Sequence, residues 1–329
     1  MKIQEELIRW FVAHHRELPF RLSKDPYSIW VSEIMAQQTR IETMIPYYER
    51  WMKEYPTIFD LANAPLEKVL KSWEGLGYYN RARKLHEGAK QVVNEYQGAL
   101  PKDVDKLLQI SGIGPYTAGA IASIAFNLRA PAVDGNVLRV VSRLLELEDD
   151  ISKQKTHQKV FDIVYDWMED ANYSDFTEGL MELGALICMP QVTLCSKCPL
   201  HRKCNSYQHH TQMNYPIKSK AKKNPIYTYK TLFVIKDHQI LLSRDDRDGL
   251  MKDFYRLPQY ENYDIQGYRF IKQYKHLYSH KTWIMDVYEY VDGQLPKDEY
   301  ILWKDIQELN EIPIIGAHTK IIQQHLNKK

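Results

Sequence analysis

Four cysteines, two carboxylates and one glycine-bracketed turn carry the chemistry that this chain could do. The cysteines Cys188, Cys195, Cys198 and Cys204 all fall in one 17-residue window, separated by six, two and five residues. A secreted disulfide scaffold spreads its cysteines along the chain, so this clustering points to one metal centre in a reducing compartment. Zinc favours two C-x2-C knuckles, and here there is one. Glu33 lies within SIWVSEIMAQQ, a helical pattern over about 28–38, between Ser32 and Ile34. A carboxylate among apolar neighbours has a raised pKa, which makes Glu33 a candidate proton donor near neutral pH, although a solvated helix Glu is the commoner use of that residue. In LLQISGIGPYTAGA, Gly112 and Gly114 allow a tight reversal, and Pro115 opens a helix whose free N–H groups face outward. Such an end attracts an anion without Lys or Arg, gripping a phosphate backbone while reading no bases. The loop that follows delivers Asp134 in VDGNV, ahead of a helix at 135–147 that Asp134 can also cap.

The elements that must position these groups are mostly helices. At 329 residues the chain suggests two domains, and 44% apolar residues can fill two cores. No run approaches the roughly 20 apolar residues of a membrane helix, and the first residues lack a signal-peptide pattern, so the expectation is a soluble cytoplasmic protein, a monomer without membrane partners. Residues 1–205 carry 25 Lys/Arg against 27 Asp/Glu, and residues 206–329 carry 19 against 15, so bulk charge does not announce nucleic acid. Any such face must be built from local clusters and helix ends. Helical spacing marks residues 2–17 and two helices within 156–188, and Pro46, Pro56 and Pro65 break the region between 41 and 97. There the stretch Trp73 to Arg83, WEGLGYYNRAR, interleaves glycine, aromatic and basic residues. Tyr78 could enter a base stack, with Arg81 or Arg83 near phosphates. A polar, Lys-rich linker spans 206–225, after which β-like segments dominate at 227–235, 239–243, 268–276 and 282–291, with a last helix at about 317–326.

Together these motifs resemble one family. The L-x-x-I-x-G-I-G-P-Y-T-A hairpin with V-D-G-N-V, the 6-2-5 cysteine spacing, W-V-S-E-I-M-A-Q-Q-T and L-G-Y-Y-x-R-A-R resemble the adenine DNA glycosylases, relatives of endonuclease III. The resemblance implies a mainly α helix-hairpin-helix glycosylase domain over 1–205 with an iron–sulfur cluster loop, then the 206–225 linker and an α+β Nudix-like domain over 226–329. It implies Glu33 as catalytic acid, Asp134 with Asn136 beside it in the second catalytic motif, and one 4Fe–4S cluster on the four cysteines. Tyr116 stands where endonuclease III has its lyase Lys, which implies a monofunctional enzyme. The partner implied is double-stranded DNA with an adenine:8-oxoguanine or adenine:guanine mispair, the protein associating with the nucleoid through that binding. Gln38, Thr39, Leu76, Tyr78, Arg81, Gly112 and Gly114 match the family's DNA contacts, and Tyr278, Ser279 and His280 its lesion-recognition loop. The chain departs at Phe20, where LPWR is the usual form, and at Ala36, where Leu is usual. Gly249-Leu250-Met251 and Phe254 to Pro258 resemble Nudix sequence, yet 226–329 lacks the clustered Glu box of a working Nudix hydrolase, which implies binding without hydrolysis.

Overall fold

Capping residues and prolines start the helices. The computed structural model describes residues 2–219, 224–245, 252–278 and 281–326. Helix α1 spans Ile3–His14, ending sooner than its periodicity suggests, and α2 spans Pro26–Ala36, its first turn closed by the Asp25 side chain accepting from the Ser28 amide at 2.8 Å. There follow α3 (Ile41–Glu54), α4 (Ile58–Asn63), α5 (Leu66–Trp73), α6 (Asn80–Tyr96) and α7 (Val104–Leu108). Helix α8 (Pro115–Ala120) runs into a π-helical turn, Ile121–Ala125, and then come α9 (Gly135–Leu145), α10 (Gln154–Trp167), α11 (Tyr173–Leu186) and α12 (Asn205–Gln208). No helix among the described residues is long and apolar enough to cross a membrane.

Packing divides the chain into two compact units. The first comprises Met1–Asn63 and Lys84–Lys220, the second Ala64–Arg83 and Ala221–Lys329. The second unit thus draws on a segment, 64–83, that lies far ahead of the 206–225 linker in the sequence. In the first unit, Leu7, Trp10 and Phe11 of α1 share a core with Val137, Val141 and Leu144 of α9 and with Phe176, Leu180 and Leu183 of α11. Helix α2 buries Ile29, Trp30, Val31, Ile34 and Met35, so almost its whole circumference is enclosed. That enclosure makes a polar residue on α2 costly unless it is partnered.

The second unit is α+β. Strands β1 (Ile226–Phe233), β2 (Ile235–Lys236), β3 (Gln239–Ser243), β4 (Gln259–Tyr260), β5 (Tyr268–Leu277), β6 (Thr282–Tyr290) and β7 (Ile301–Asp305) precede helix α13 (Gly316–Leu326). They form a mixed sheet in the order β4-β1-β6-β5, with β1 parallel to β6, and an antiparallel sheet in the order β2-β3-β7. Leu232, Val234 and Leu241 centre one cluster of its core. Ser279, His280 and the Gly249-Leu250-Met251 run lie outside the described residues, as does part of the linker.

Candidate active site

Helix α2 delivers Glu33, helix α8 delivers Tyr116, and the N-terminus of α9 delivers Asp134, all into one cavity of about 740 Å³ within the first unit. That volume lies within the roughly 300–1,000 Å³ of small-ligand sites. Glu33 is held by the Tyr116 hydroxyl, which donates to its Oε2. Burial pushes the Glu33 carboxyl up to about 7; the Tyr116 hydrogen bond and Arg21 oppose this, and the charges of Asp134 and Glu178 add to it. Burial, with Glu33 beside it, drives the Tyr116 phenol well above its ordinary range, so it stays a donor.

Asp134 has two jobs. Its Oδ1 accepts from the Val137 amide at 2.8 Å, capping α9, and its Oδ2 accepts from Asn136 Nδ2 at 2.7 Å. Burial raises its pKa, while the Val137 and Asn136 hydrogen bonds and Arg139 pull it back. The loop before it is held close to the hairpin: a Cβ on Gly119 would sit 2.1 Å from the Pro131 carbonyl oxygen, a distance only glycine permits. In the hairpin turn itself, Gly112 takes φ +83° and Gly114 caps α8 in extended backbone, leaving the start of that helix bare.

Charged residues absent from the sequence reading line the same cavity. Glu182 of α11 accepts from Arg16 Nε at 2.8 Å and from Arg21 Nη2 at 2.9 Å, and Arg21 Nε lies 3.3 Å from Glu178. These contacts outweigh burial and hold the Glu182 carboxyl down at about 2. Glu178 also takes Lys24. The result is a fixed network of paired charges along one part of the cavity lining.

Gln38, Thr39, Gly112 and Gly114 belong to this unit. Gln38 is exposed with φ +55°, and Thr39 is half-buried. Leu76, Tyr78 and Arg81 belong to the second unit. Tyr78 is exposed there, but Leu76 is buried at 7% exposure, which turns it away from solvent. Arg81 also differs from expectation: its Nη2 donates to the Gly77 carbonyl at 3.1 Å and to that of Leu76 at 3.4 Å, so it clamps the turn instead of reaching outward. Tyr278 is half-buried, its ring edge-on to Trp283 at 4.9 Å.

The four cysteine side chains line one small pocket with Val140, Leu144, Leu183 and Ile187. No group of three or more His, Cys, Asp or Glu among the described residues is gathered closely enough to hold a single metal ion. Arg143 organises the loop, donating to the carbonyls of Met189 at 2.8 Å, Pro190 at 3.1 Å and Tyr215 at 3.0 Å, with Cys188 Sγ at 3.4 Å. One helical turn away, Arg139 joins the loop to the catalytic motif. Its Nε donates to the Cys188 carbonyl at 2.7 Å and its Nη2 to Asn136 Oδ1 at 2.8 Å, and Asn136 in turn donates to Asp134.

Comparison with known proteins places this geometry. The model of the HhH-GPD superfamily of base excision DNA repair proteins matches residues 31–164. The human adenine DNA glycosylase is 44% identical over 211 residues, covering 61% of this chain and 39% of its own. The rat enzyme is 42% identical over 214 residues, covering 62% and 42%. The chain thus spans about two fifths of the length of these relatives. The adenine DNA glycosylase of Buchnera aphidicola is 32% identical over 295 residues, covering 84% of this chain and 83% of its own. Among solved structures, a thermostable thymine-DNA glycosylase is similar with TM-score 0.57 and 27% identity, over 62% of this chain and 94% of that one. An endonuclease III–DNA complex shares the fold at TM-score 0.54 and 24% identity, over 64% and 95%.

Proposed function

We propose that this chain, which belongs to the adenine DNA glycosylase family, hydrolyses the N-glycosidic bond of adenine mispaired with 8-oxoguanine or guanine in duplex DNA, leaving the strand intact. The observation that carries this reading is the pair of carboxylates in one cavity, Glu33 poised near neutrality under the Tyr116 hydroxyl and Asp134 anchored by Asn136 and Val137. Two carboxyl groups facing one cavity are what cleavage of a glycosidic bond needs, one acting as acid and the other as the ionised stabiliser, here the one that three hydrogen bonds and Arg139 pull back toward ionisation. The target nucleotide is extruded into the cavity. Glu33 donates its proton to N7 of adenine, the bond from C1′ to N9 breaks and neutral adenine departs. The Asp134 carboxylate stabilises the cationic sugar, and Glu33, now ionised, takes a proton from the water that adds to C1′. Arg21, Glu178 and Glu182 are fixed where they could hydrogen-bond the base. Tyr116 supplies no amine for a Schiff base, so no lyase step follows.

Cys188, Cys195, Cys198 and Cys204 would hold one 4Fe–4S cluster, which when bound ties the loop 188–204 together and does no bond chemistry. The hairpin at Gly112 and Gly114 would grip a phosphate and Gln38 and Thr39 would contact the DNA from the first unit, while Tyr78 of the second unit would enter the base stack. The second unit, as a Nudix-like reader without hydrolase chemistry, would examine the opposite base through Tyr278, Ser279 and His280.

Duplexes carrying A:8-oxoG, A:G, T:G and thymine glycol, assayed with and without alkali, test the reading. Adenine release from the first two, with strand breaks only after alkali, is the expected result; thymine release or alkali-independent nicking would replace it with an endonuclease III-like activity. Metal analysis of anaerobically purified protein is expected to give about four irons per chain, as one cubane on four thiolates requires. Stoichiometric zinc without iron would remove the cluster from the account.

A further inference from the structure

The loop bearing Tyr78 is built by the second unit. Residues 64–83 group with the C-terminal residues, and the loop is fastened to them at both ends, to α13 and the carbonyl of Leu309 in front and to residues 253–254 behind. At its front, Thr319 of α13 donates to Glu74 Oε1 at 2.9 Å, and Lys71 Nζ bonds both Glu74 at 2.7 Å and the Leu309 carbonyl at 3.4 Å. At its rear, the Tyr79 ring packs on Phe254 with centroids 4.0 Å apart, and Arg83 Nε pairs with Asp253 at 3.0 Å. Asp253 and Phe254 are buried or nearly so, Phe254 at 1% exposure.

Between these fastenings the backbone is forced. Gly75 at φ +102°, Gly77 at +71° and Tyr78 at +49° place three of four consecutive residues in the left-handed region. Glycine takes this freely, but an aromatic residue does so only where its surroundings over-determine it. Here Trp73 Nε1 and Arg81 Nη2 both donate to the Gly77 carbonyl at 3.1 Å, and the Arg81 guanidinium lies over the rings of Trp73 and Tyr78 at 5.2 and 5.4 Å. The side chain of Tyr78 is left 43% exposed at the tip. Strain at an exposed aromatic, held by buried contacts, is a way to pre-organise a wedge so that the duplex meets it already raised.

We propose that the second unit is the mount of the strand-opening loop, with Asp253, Phe254 and Thr319 as positioning residues for Tyr78. The unit then governs how far the target pair is opened, in addition to any reading of the opposite base. This rests on the reading of the chain as a base-extruding glycosylase with Tyr78 entering the duplex.

The test uses the full chain in a Glu33→Gln background, which holds the complex before chemistry, and an A:8-oxoG duplex with 2-aminopurine beside the target adenine. Asp253→Asn combined with Thr319→Val is expected to leave Kd within about threefold of the parent, while the fluorescence gain that reports unstacking falls at least fivefold. Asp253→Glu, which keeps a carboxylate for Arg83, should restore most of the gain. Adding Tyr78→Ala to the double variant should cause little further loss. An undiminished gain in the double variant, or equal loss of gain and affinity, overturns the proposal. So does an undiminished gain in Tyr78→Ala alone, which would show that another residue opens the pair. Failure of the underlying reading is seen separately, as no adenine release by the wild-type chain from either mispair.

Discussion

Glu33→Gln binds a mispaired duplex about as tightly as the wild type and releases almost no adenine. The amide fills the same volume beneath Tyr116 but carries no proton to give, and it cannot accept one from the incoming water. General acid–base catalysis alone contributes roughly 10²–10⁴-fold, and here one carboxyl serves both half-reactions, so the loss should exceed that range. Single-turnover excision with parallel binding measurements checks this, and near-normal turnover would take the acid role away from Glu33. The pH dependence follows from the same group. With the Glu33 carboxyl held at about 7, the active protonated form is lost as pH rises through 7, and the rate should fall about tenfold per unit beyond it. On the acid side, protonation of Asp134 removes the charge that faces the sugar. The stability sign is the reverse of a salt-bridged carboxylate: the fold holds the Glu33 proton more tightly than the unfolded chain does, so this residue contributes less stability as pH climbs from the ordinary 4.5 toward 7. Glu33→Gln should therefore gain in thermal stability relative to wild type above pH 7.

Arg139→Met should cost both stability and catalysis, although Arg139 touches no substrate. Its guanidinium is buried, with bonds to the carbonyls of Cys188 and Gly184 and to the Asn136 side chain. Removing it leaves the Cys188 carbonyl only the longer bond from Arg143 at 3.4 Å and takes the Arg139 bond from Gly184 and Asn136, at about 1–3 kcal/mol for each buried acceptor left without a donor. Asn136 would lose the bond that orients its amide toward Asp134. Outer partners of this kind typically matter by about 10–100-fold in affinity or activity. The expected pattern is excision down by about that factor, a lower melting temperature and unchanged duplex affinity. Wild-type excision in a folded Arg139→Met protein would show that Asp134 is held by Asn136 and Val137 alone.

The legible part of this molecule is what short-range pattern encodes. The cysteine window, the glycine turn and the strand segments from 226 onward depend on neighbours within a few residues, and each appears close to where the spacing puts it. The strand β4 is two residues long and holds too little alternation to be read, and β7, ILWKD, runs from apolar into charged residues without alternating. The surroundings of Leu76 and Arg81 are not legible in the sequence for another reason. Whether a loop residue faces solvent or its own backbone is decided by contacts made far along the chain, such as those of Glu74 with Thr319. Glu178 and Glu182 look like a solvated helix face when read singly. The available signal was their company: Met181, Ala185 and Leu186 share their side of α11 while Phe176, Leu180 and Leu183 line the other, and carboxylates on a helix apolar on both sides must be paired.

The discontinuous second unit also sets an order of events at the ribosome. Glu74 waits for a partner 245 residues further on, and Arg83 for one 170 residues further on. At roughly 5–20 residues per second, Thr319 is added about 12–50 s after Glu74. During that interval α5 emerges with Val69, Leu70 and Trp73, buried side chains of a segment whose compact unit is otherwise made of residues from 221 onward. The nascent chain must carry this sticky stretch through the completion of its helical neighbours, and translation speed between 83 and 319 sets how long it stays open to chaperones or to misassociation.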